Sequence, residues 1–280
     1  MASILSIVLR NYRRFRGEVE LPLSGGIDII QTPPGMGKSS IAEAVAWCLA
    51  GEMSRDDVMN AEGRLADEDA MVSLTFSDPR RTVLERSISS SSGGMMERAE
   101  VRPDGSFEEE REELFPVSCI HSNIISGISL ERVMYGSRTG GERAVDGMNG
   151  WGASDAPLRA SMEGTSLYLA MMPETTVSCI VFDRGGRPGV QCDPAGIGPD
   201  EYRAVVLSSA LAFARESCPG VPVILDEPFE GMDIHAAGRA AEAVAEFMGG
   251  RQLVLLLSDA NAIDAMRATG KVDKELEIKG

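Results

Sequence analysis

Two short stretches far apart in the chain carry residue types suited to chemistry on a phosphoanhydride. The first is Thr32-Pro-Pro-Gly-Met-Gly-Lys-Ser-Ser40. Gly35, Gly37, Lys38 and Ser39 have the spacing of the second half of G-x-x-x-x-G-K-[ST]. Glycines there let successive backbone N–H groups point at phosphate oxygens, Lys38 supplies charge at the β/γ position, and the Ser39 hydroxyl suits Mg²⁺. Pro34, Met36 and Ser40 complete the expected nucleotide-binding loop. The competing reading is a flexible turn that contains a lysine. The place of the first glycine is taken by Thr32, which is expected to strain or alter the turn.

The second stretch is Val223-Ile-Leu-Asp226-Glu227-Pro. An apolar strand that ends in a carboxylate is what a phosphate-binding sheet uses to hold Mg²⁺, and an adjacent carboxylate can polarise an attacking water. Asp226 is the candidate metal residue, and Glu227 with Lys38 are the candidate catalytic groups. Its bland alternative is a strand ending in a solvated acidic turn.

These residues need elements to bring them together. GIDII before the loop reads as a strand, and Ser40 to Leu49 reads as a helix with Ile41, Ala44, Val45 and Leu49 on one face. SILSIVL and VELPL are strand-like, and MVSLTF and TVLERSI suggest antiparallel strands joined by loops at SDPRR and SSSSGGMM, with Met95 and Met96 at a loop tip. VSCIVFD reads as a buried strand. Beyond it come a helix from about Pro199 to Glu216, a strand VPVILD, a helix from Asp233 to about Phe247, a strand QLVLLLS, a short helix and a strand-like ELEIKG. Strands alternating with helices predict an α/β fold with a mainly parallel core sheet flanked by helices, plus an antiparallel β-subdomain. The expected organisation is one domain, 1–280. Its N-terminal lobe is 1–135, a glycine-rich insert or linker 136–165, and its C-terminal lobe 166–280.

Composition limits the partners. The 280 residues include 27 basic and 43 acidic side chains, a net charge of −16, so the average surface repels nucleic acid and any DNA contact must be local or supplied by a partner. Cys48, Cys119, Cys179, Cys192 and Cys218 are odd in number and widely spaced, with no C-x-x-C pair. Reduced thiols are expected, with neither a disulfide framework nor a zinc site. The N-terminus lacks a secretory pattern, and no apolar run approaches the roughly 20 residues that span a bilayer. A cytoplasmic protein with no membrane contact is the expectation.

The run ILDEPFEGMD resembles the Walker B and D-loop of ABC-type ATPases, and LRNYRRFRG followed by GIDIIQTPPGMGKSSIAEAVAWCLAG looks like the SMC and RecF branch of DNA-repair and chromosome-maintenance ATPases. The resemblance covers about residues 3 to 60 and 197 to 280. It implies a P-loop NTPase fold of the ABC-type ATPase head and binding of ATP with Mg²⁺. It implies Asp226 as metal residue, Glu227 as general base, Gly231-Met-Asp233 as D-loop, and a contact from Arg13 or Arg14 to the nucleotide. It also implies an ATP-dependent homodimer, or a heterodimer with a homologous head, with Gly198 and Asp233 as contacts in trans, and DNA or a repair complex as client.

The chain departs from that pattern in four places. Ile197-Gly198-Pro199-Asp200-Glu201 aligns with the L-S-G-G-E signature but lacks its serine, and its two acids repel a γ-phosphate. The switch histidine is replaced by Ser258-Asp259, which weakens the case for fast hydrolysis. The Q-loop position near CIHSNII offers His121 and Ser122 with no glutamine, and His121 also reads as a structural histidine. Nothing in the middle carries the heptads of a coiled coil. A non-hydrolysing switch or scaffold paired with an active homologue is therefore an alternative, as is, with less support, the nucleotide-binding subunit of a transporter. His235 has no role in either reading, and Glu108 to Glu113 reads as a solvated face.

Overall fold

The apolar runs ending in Gln31, Asp226 and Leu257 become neighbouring parallel strands. In the computed structural model the described residues are 2–33, 35, 37–51, 58–59, 68–91, 94–125, 155–175, 177–182, 188–192 and 197–278. The parallel sheet runs in the order β12 (Lys274–Glu277), β3 (Ile27–Gln31), β11 (Leu253–Leu257), β10 (Val223–Asp226) and β7 (Ile124–Ile125). Its register sets Leu256 beside Asp226 and Leu257 beside Gln31, so the loops that follow β3, β10 and β11 leave one edge together.

Both faces of this sheet are covered, which is why its strands read as unbroken apolar runs. Successive side chains point to opposite faces. Ile29, Leu225, Leu253 and Leu255 enter one core, beneath α4 (Ala156–Met171), α5 (Pro199–Ser217), α6 (Ile234–Phe247) and α7 (Ala260–Ala268). Ile30, Ile224, Val254 and Leu256 enter the other. That second core is closed by α1 (Lys38–Ala50) and by an antiparallel sheet, β2 (Glu18–Pro22), β1 (Ile4–Arg10), β4 (Ala70–Phe76), β5 (Val83–Ser91) and β6 (Gly94–Arg102), in that order. Trp47 of α1 is buried there, its ring 5.8 Å from that of Tyr12. Gln252 ties the two sheets, its Oε1 accepting from Ile4 N and its Nε2 donating to Ile4 O, both at 2.7 Å.

The hairpin of β8 (Val177–Phe182) and β9 (Pro188–Cys192) lies against α4, where Ile180 N donates to Thr165 Oγ1 at 3.0 Å and Phe182 N to Ser161 Oγ at 2.9 Å. Val177–Phe182 is therefore half-buried, with Val181 exposed, because the sheet it joins has two strands and one covered face; Asp183 lies outside the described residues. The expected loop at SSSSGGMM is shorter than anticipated: β5 continues to Ser91 and β6 begins at Gly94, which puts Met96 in a strand. The acidic run forms α2 (Phe107–Leu114), with Phe107 and Leu114 inward, Glu108, Glu109, Glu112 and Glu113 exposed, and Glu110 mostly covered and ion-paired with Arg80. Residues 156–165, expected to end the glycine-rich insert, are the first part of α4; residues 126–154 lie outside the described region.

The cysteine expectation is overturned. Cys119 and Cys218, 99 residues apart, form a disulfide of 2.05 Å. Pairing of β7 with β10 brings the helix α3 (Ile120–Asn123) to the C-terminal end of α5, and with it the two sulfurs; counting cysteines cannot reveal that proximity. Cys48 is a free thiol pushed up to about 12 by complete burial. No described helix is long and apolar enough to cross a membrane.

Candidate functional site

The two stretches singled out in the sequence meet at the C-terminal edge of the parallel sheet. β3 ends at Gln31, and the chain turns through Gly35 (φ +80°) and Gly37 (φ +96°) into the N-terminus of α1. At both positions a side chain would be strained by the left-handed backbone, so glycine answers a geometric demand. Pro34 and Met36 lie outside the described residues. Ser40 is buried, facing the core. Lys38 and Ser39 begin the helix, where unpaired backbone N–H groups and the helix dipole favour an anion.

Ser39 Oγ donates to Asp226 Oδ2 at 2.6 Å across 187 residues of sequence, and Lys38 Nζ lies 2.7 Å from Glu227 Oε1. Asp226 is 4% exposed, and its second oxygen, Oδ1, is buried without a hydrogen-bond partner. Burial pushes the Asp226 carboxyl above its ordinary value, against the Ser39 hydrogen bond and the Lys38 charge; Glu227 and Glu230 push it further up. A buried carboxylate oxygen that lacks a donor is costly unless something cationic completes it. Ser39 Oγ and Asp226 Oδ1 are hard oxygen donors of the kind Mg²⁺ takes, so the residues present fit that ion.

Glu227 adopts φ +50°, a conformation that non-glycine residues rarely hold without compensation. Several contacts impose it. Its N–H donates to Leu256 O at 3.0 Å, and its side-chain Oε1 accepts from Ser258 N at 2.9 Å and from the Ser258 hydroxyl. Its carbonyl takes Arg203 Nη2 at 3.5 Å, while Arg203 Nε donates to Glu230 O at 3.0 Å. Arg203 on α5 thus fixes the turn after β10. Sequence reasoning missed it, since an arginine in the second turn of a helix carries no local sign of a partner 24 residues on.

The signature-like turn and the D-loop share a rim beside this centre. Asp233 caps α6, its Oδ1 accepting from His235 N at 2.7 Å and Ala236 N at 2.9 Å. The Ala236 and His235 amides hold the Asp233 carboxyl below its usual range; Asp200, hydrogen-bonded to Asp233, is raised by burial and then by that neighbour. Gly198 precedes α5, and its N–H donates to Glu201 Oε2 at 3.0 Å. Glu201 also accepts from Thr175 Oγ1 at 2.6 Å, so both acids in this turn are engaged internally, Asp200 with Asp233 and Glu201 with Gly198 and Thr175.

Other expected residues stand differently. The Arg13 side chain is ion-paired with Glu43 of α1 and sits 5.9 Å from the Tyr12 ring centroid. Arg14 is exposed, and a Cβ at Gly37 would come 3.5 Å from the Arg14 Cβ and 3.5 Å from the Phe15 ring, so the NYRRF turn packs on the phosphate loop through the Arg14 stem and the Phe15 ring. Thr32, expected to strain or alter the turn, does not take a left-handed backbone. Its N–H continues the ladder to Leu257 O at 3.1 Å, and its buried hydroxyl has no described partner.

His121 and Ser122 require a correction. They precede β7, and Ser122 Oγ bonds Cys119 O at 3.1 Å and Asn123 Oδ1 at 2.8 Å, while Asn123 Nδ2 donates to Val221 O and Pro222 O. This is the N-terminal edge of the sheet, the length of β10 away from Asp226. In a parallel sheet the residues that reach a ligand at the C-terminal edge follow their strand. A Q-loop would begin after Ile125, outside the described residues.

The fold is that of a P-loop NTPase, with a parallel core sheet and an antiparallel sheet beside it. More narrowly, the chain has the fold of an SMC head. A family model described as an AAA domain matches residues 6–124. An Smc head domain with an extended coiled coil, bound to the C-terminal domain of ScpA from Pyrococcus furiosus, shares 14% identity at a TM-score of 0.75, over 100% of this chain and 94% of that one. An SmcHead bound to the C-winged helix domain of ScpA shares 16% at 0.72, covering 99% and 94%. The SMC head domain from Thermotoga maritima shares 15% at 0.65, covering 99% and 95%. No curated protein matches the chain.

Proposed function

We propose that this chain binds ATP with Mg²⁺ and hydrolyses it slowly, as a head of SMC/RecF type. Its pairing with a second copy or a homologous head follows the nucleotide, and its client is DNA or a repair complex. The observation that carries this reading is the meeting of Lys38 and Ser39 with Asp226 and Glu227 at one strand edge. The phosphates lie against the N–H groups of the Gly35–Gly37 turn and the start of α1, and Lys38 leaves Glu227 for their greater charge. Glu227, released, accepts the proton of the attacking water. Mg²⁺ held by Ser39 and Asp226 would neutralise phosphate charge. Two of the similar heads are bound to ScpA domains, so a homologous head or a protein of that kind is the partner expected here.

The test is ATP affinity, phosphate release and solution mass, with and without MgATP. Lys38→Ala should weaken ATP binding about tenfold or more, and Glu227→Gln should slow turnover about a hundredfold while ATP stays bound. Wild-type protein that takes up no nucleotide overturns the reading. Binding without turnover favours a second reading, a non-hydrolysing switch. That reading draws on Asp200 at the signature-like turn and on Ser258 in place of the switch histidine.

A further inference from the structure

Ser258 follows β11 at the place where the resemblance leads one to expect a histidine facing the γ-phosphate, and in this chain it is bonded to Glu227 instead. The register of β11 against β10 sets Leu256 beside Asp226, which brings residue 258 alongside the Glu227 side chain. Two donors of one residue, the Ser258 N–H at 2.9 Å and its hydroxyl, meet a single carboxylate oxygen, Oε1. Lys38 Nζ reaches that same oxygen at 2.7 Å. Glu227 and Lys38 side chains are only 15% and 13% exposed, so the contact lies in a partly desolvated site where hydrogen bonds to charge are strong. The backbone of Glu227 is in the left-handed region, clamped by Leu256 on one side and Arg203 on the other. Side chain and main chain are thus both held, as a group that must present one oxygen in a fixed direction requires.

We infer that Ser258 is the positioning residue for Glu227: it grips Oε1 through its hydroxyl and amide, so that Oε2 is the oxygen that takes the proton from water. This rests on the ATP-hydrolysing reading above. The lysine contact is exchangeable, because bound phosphates outbid one carboxylate for the ammonium, whereas the serine contacts have no such competitor and persist. Serine in the place of the expected histidine then rewires this position from the phosphate to the base.

The experiment uses the full chain. Steady-state ATP hydrolysis and the affinity for a fluorescent ATP analogue are measured for the wild type, Ser258→Ala and Ser258→Thr, and the affinity alone also in the Glu227→Gln background. Losing one hydrogen bond to a charged acceptor should lower kcat about tenfold or more. KM and analogue affinity should stay within about twofold of the wild type, and threonine, which keeps the hydroxyl, should recover most of the rate. If alanine prevents folding, Ser258→Gly provides a second variant without the hydroxyl. A rate unchanged by alanine or glycine overturns this inference and leaves the proposed function standing. Affinity that falls with alanine in both backgrounds overturns it too, since it makes Ser258 a phosphate ligand. Wild-type protein that binds ATP without hydrolysing it removes this inference together with the hydrolytic part of the proposed function.

Discussion

Asp226 holds a charge where the fold, taken alone, would prefer none. Its folded-state carboxyl is raised above its ordinary value, chiefly by burial. A carboxyl shifted in that direction binds its proton more readily when folded. Stability is therefore greatest below the unfolded value and is lost as pH rises through the folded one. Asp28 on β3 is a similar case without a ligand role: fully buried, raised by burial, its Oδ1 bonded to Ser24 N and its Oδ2 without a described partner. Both Asp226→Asn and Asp28→Asn should raise the melting temperature of nucleotide-free protein by a few degrees at about pH 7 and by little at about pH 4. The two should part when MgATP is added. Asp226→Asn loses the stabilisation that the ligand gives the wild type, and Asp28→Asn keeps it. Thermal unfolding at the two pH values decides this; a lower melting temperature for Asp226→Asn at neutral pH would mean that the Ser39 bond outweighs burial.

At the scale of elements, the disulfide joins the turn before α3 to the end of α5, far along the chain from each other. Closing 99 residues restricts the unfolded chain strongly, so Cys119→Ser or Cys218→Ser should lower stability by about 2–4 kcal/mol under oxidising conditions. Denaturant unfolding with and without a thiol reductant tests it, since reduced wild type should match the variants; a variant as stable as the oxidised wild type would rule the constraint out. This contact was invisible in the sequence, and so was the grip of Arg203 on the turn after β10, for the same reason: both depend on which strands pair. What was legible had local causes. The β3–loop–α1 unit shows in apolar runs, in glycines at left-handed positions and in helical spacing. The Asp226-Glu227 pair shows in a buried strand ending in two acids. His121 and Ser122 were misplaced because sequence alone did not show that β7 begins only at Ile124, after them. The left-handed conformation of Glu227 gave no sign either, since glutamate is not a residue that announces it.

For the whole molecule, the controlling quantity is a net charge of −16. Two copies meeting around bound nucleotide bring like charge together, and the rim expected to face the partner adds Asp200 and Asp233 to it. Bound MgATP is itself anionic, so it adds to the like charge and does not offset it. Screening shortens the reach of such repulsion from about 20 Å at low salt to about 8 Å at physiological ionic strength. The proposed MgATP-dependent dimer should therefore tighten as salt rises from about 20 mM to about 200 mM at saturating nucleotide. Asp200→Asn should tighten it further at low salt and matter less at high salt, because it removes charge from the rim itself. Sedimentation equilibrium over that range, with the Glu227→Gln variant to keep ATP intact, reads both effects. A dimer that loosens with salt would mean that complementary charges hold the interface, and the acidic rim would then have to face solvent instead of the partner.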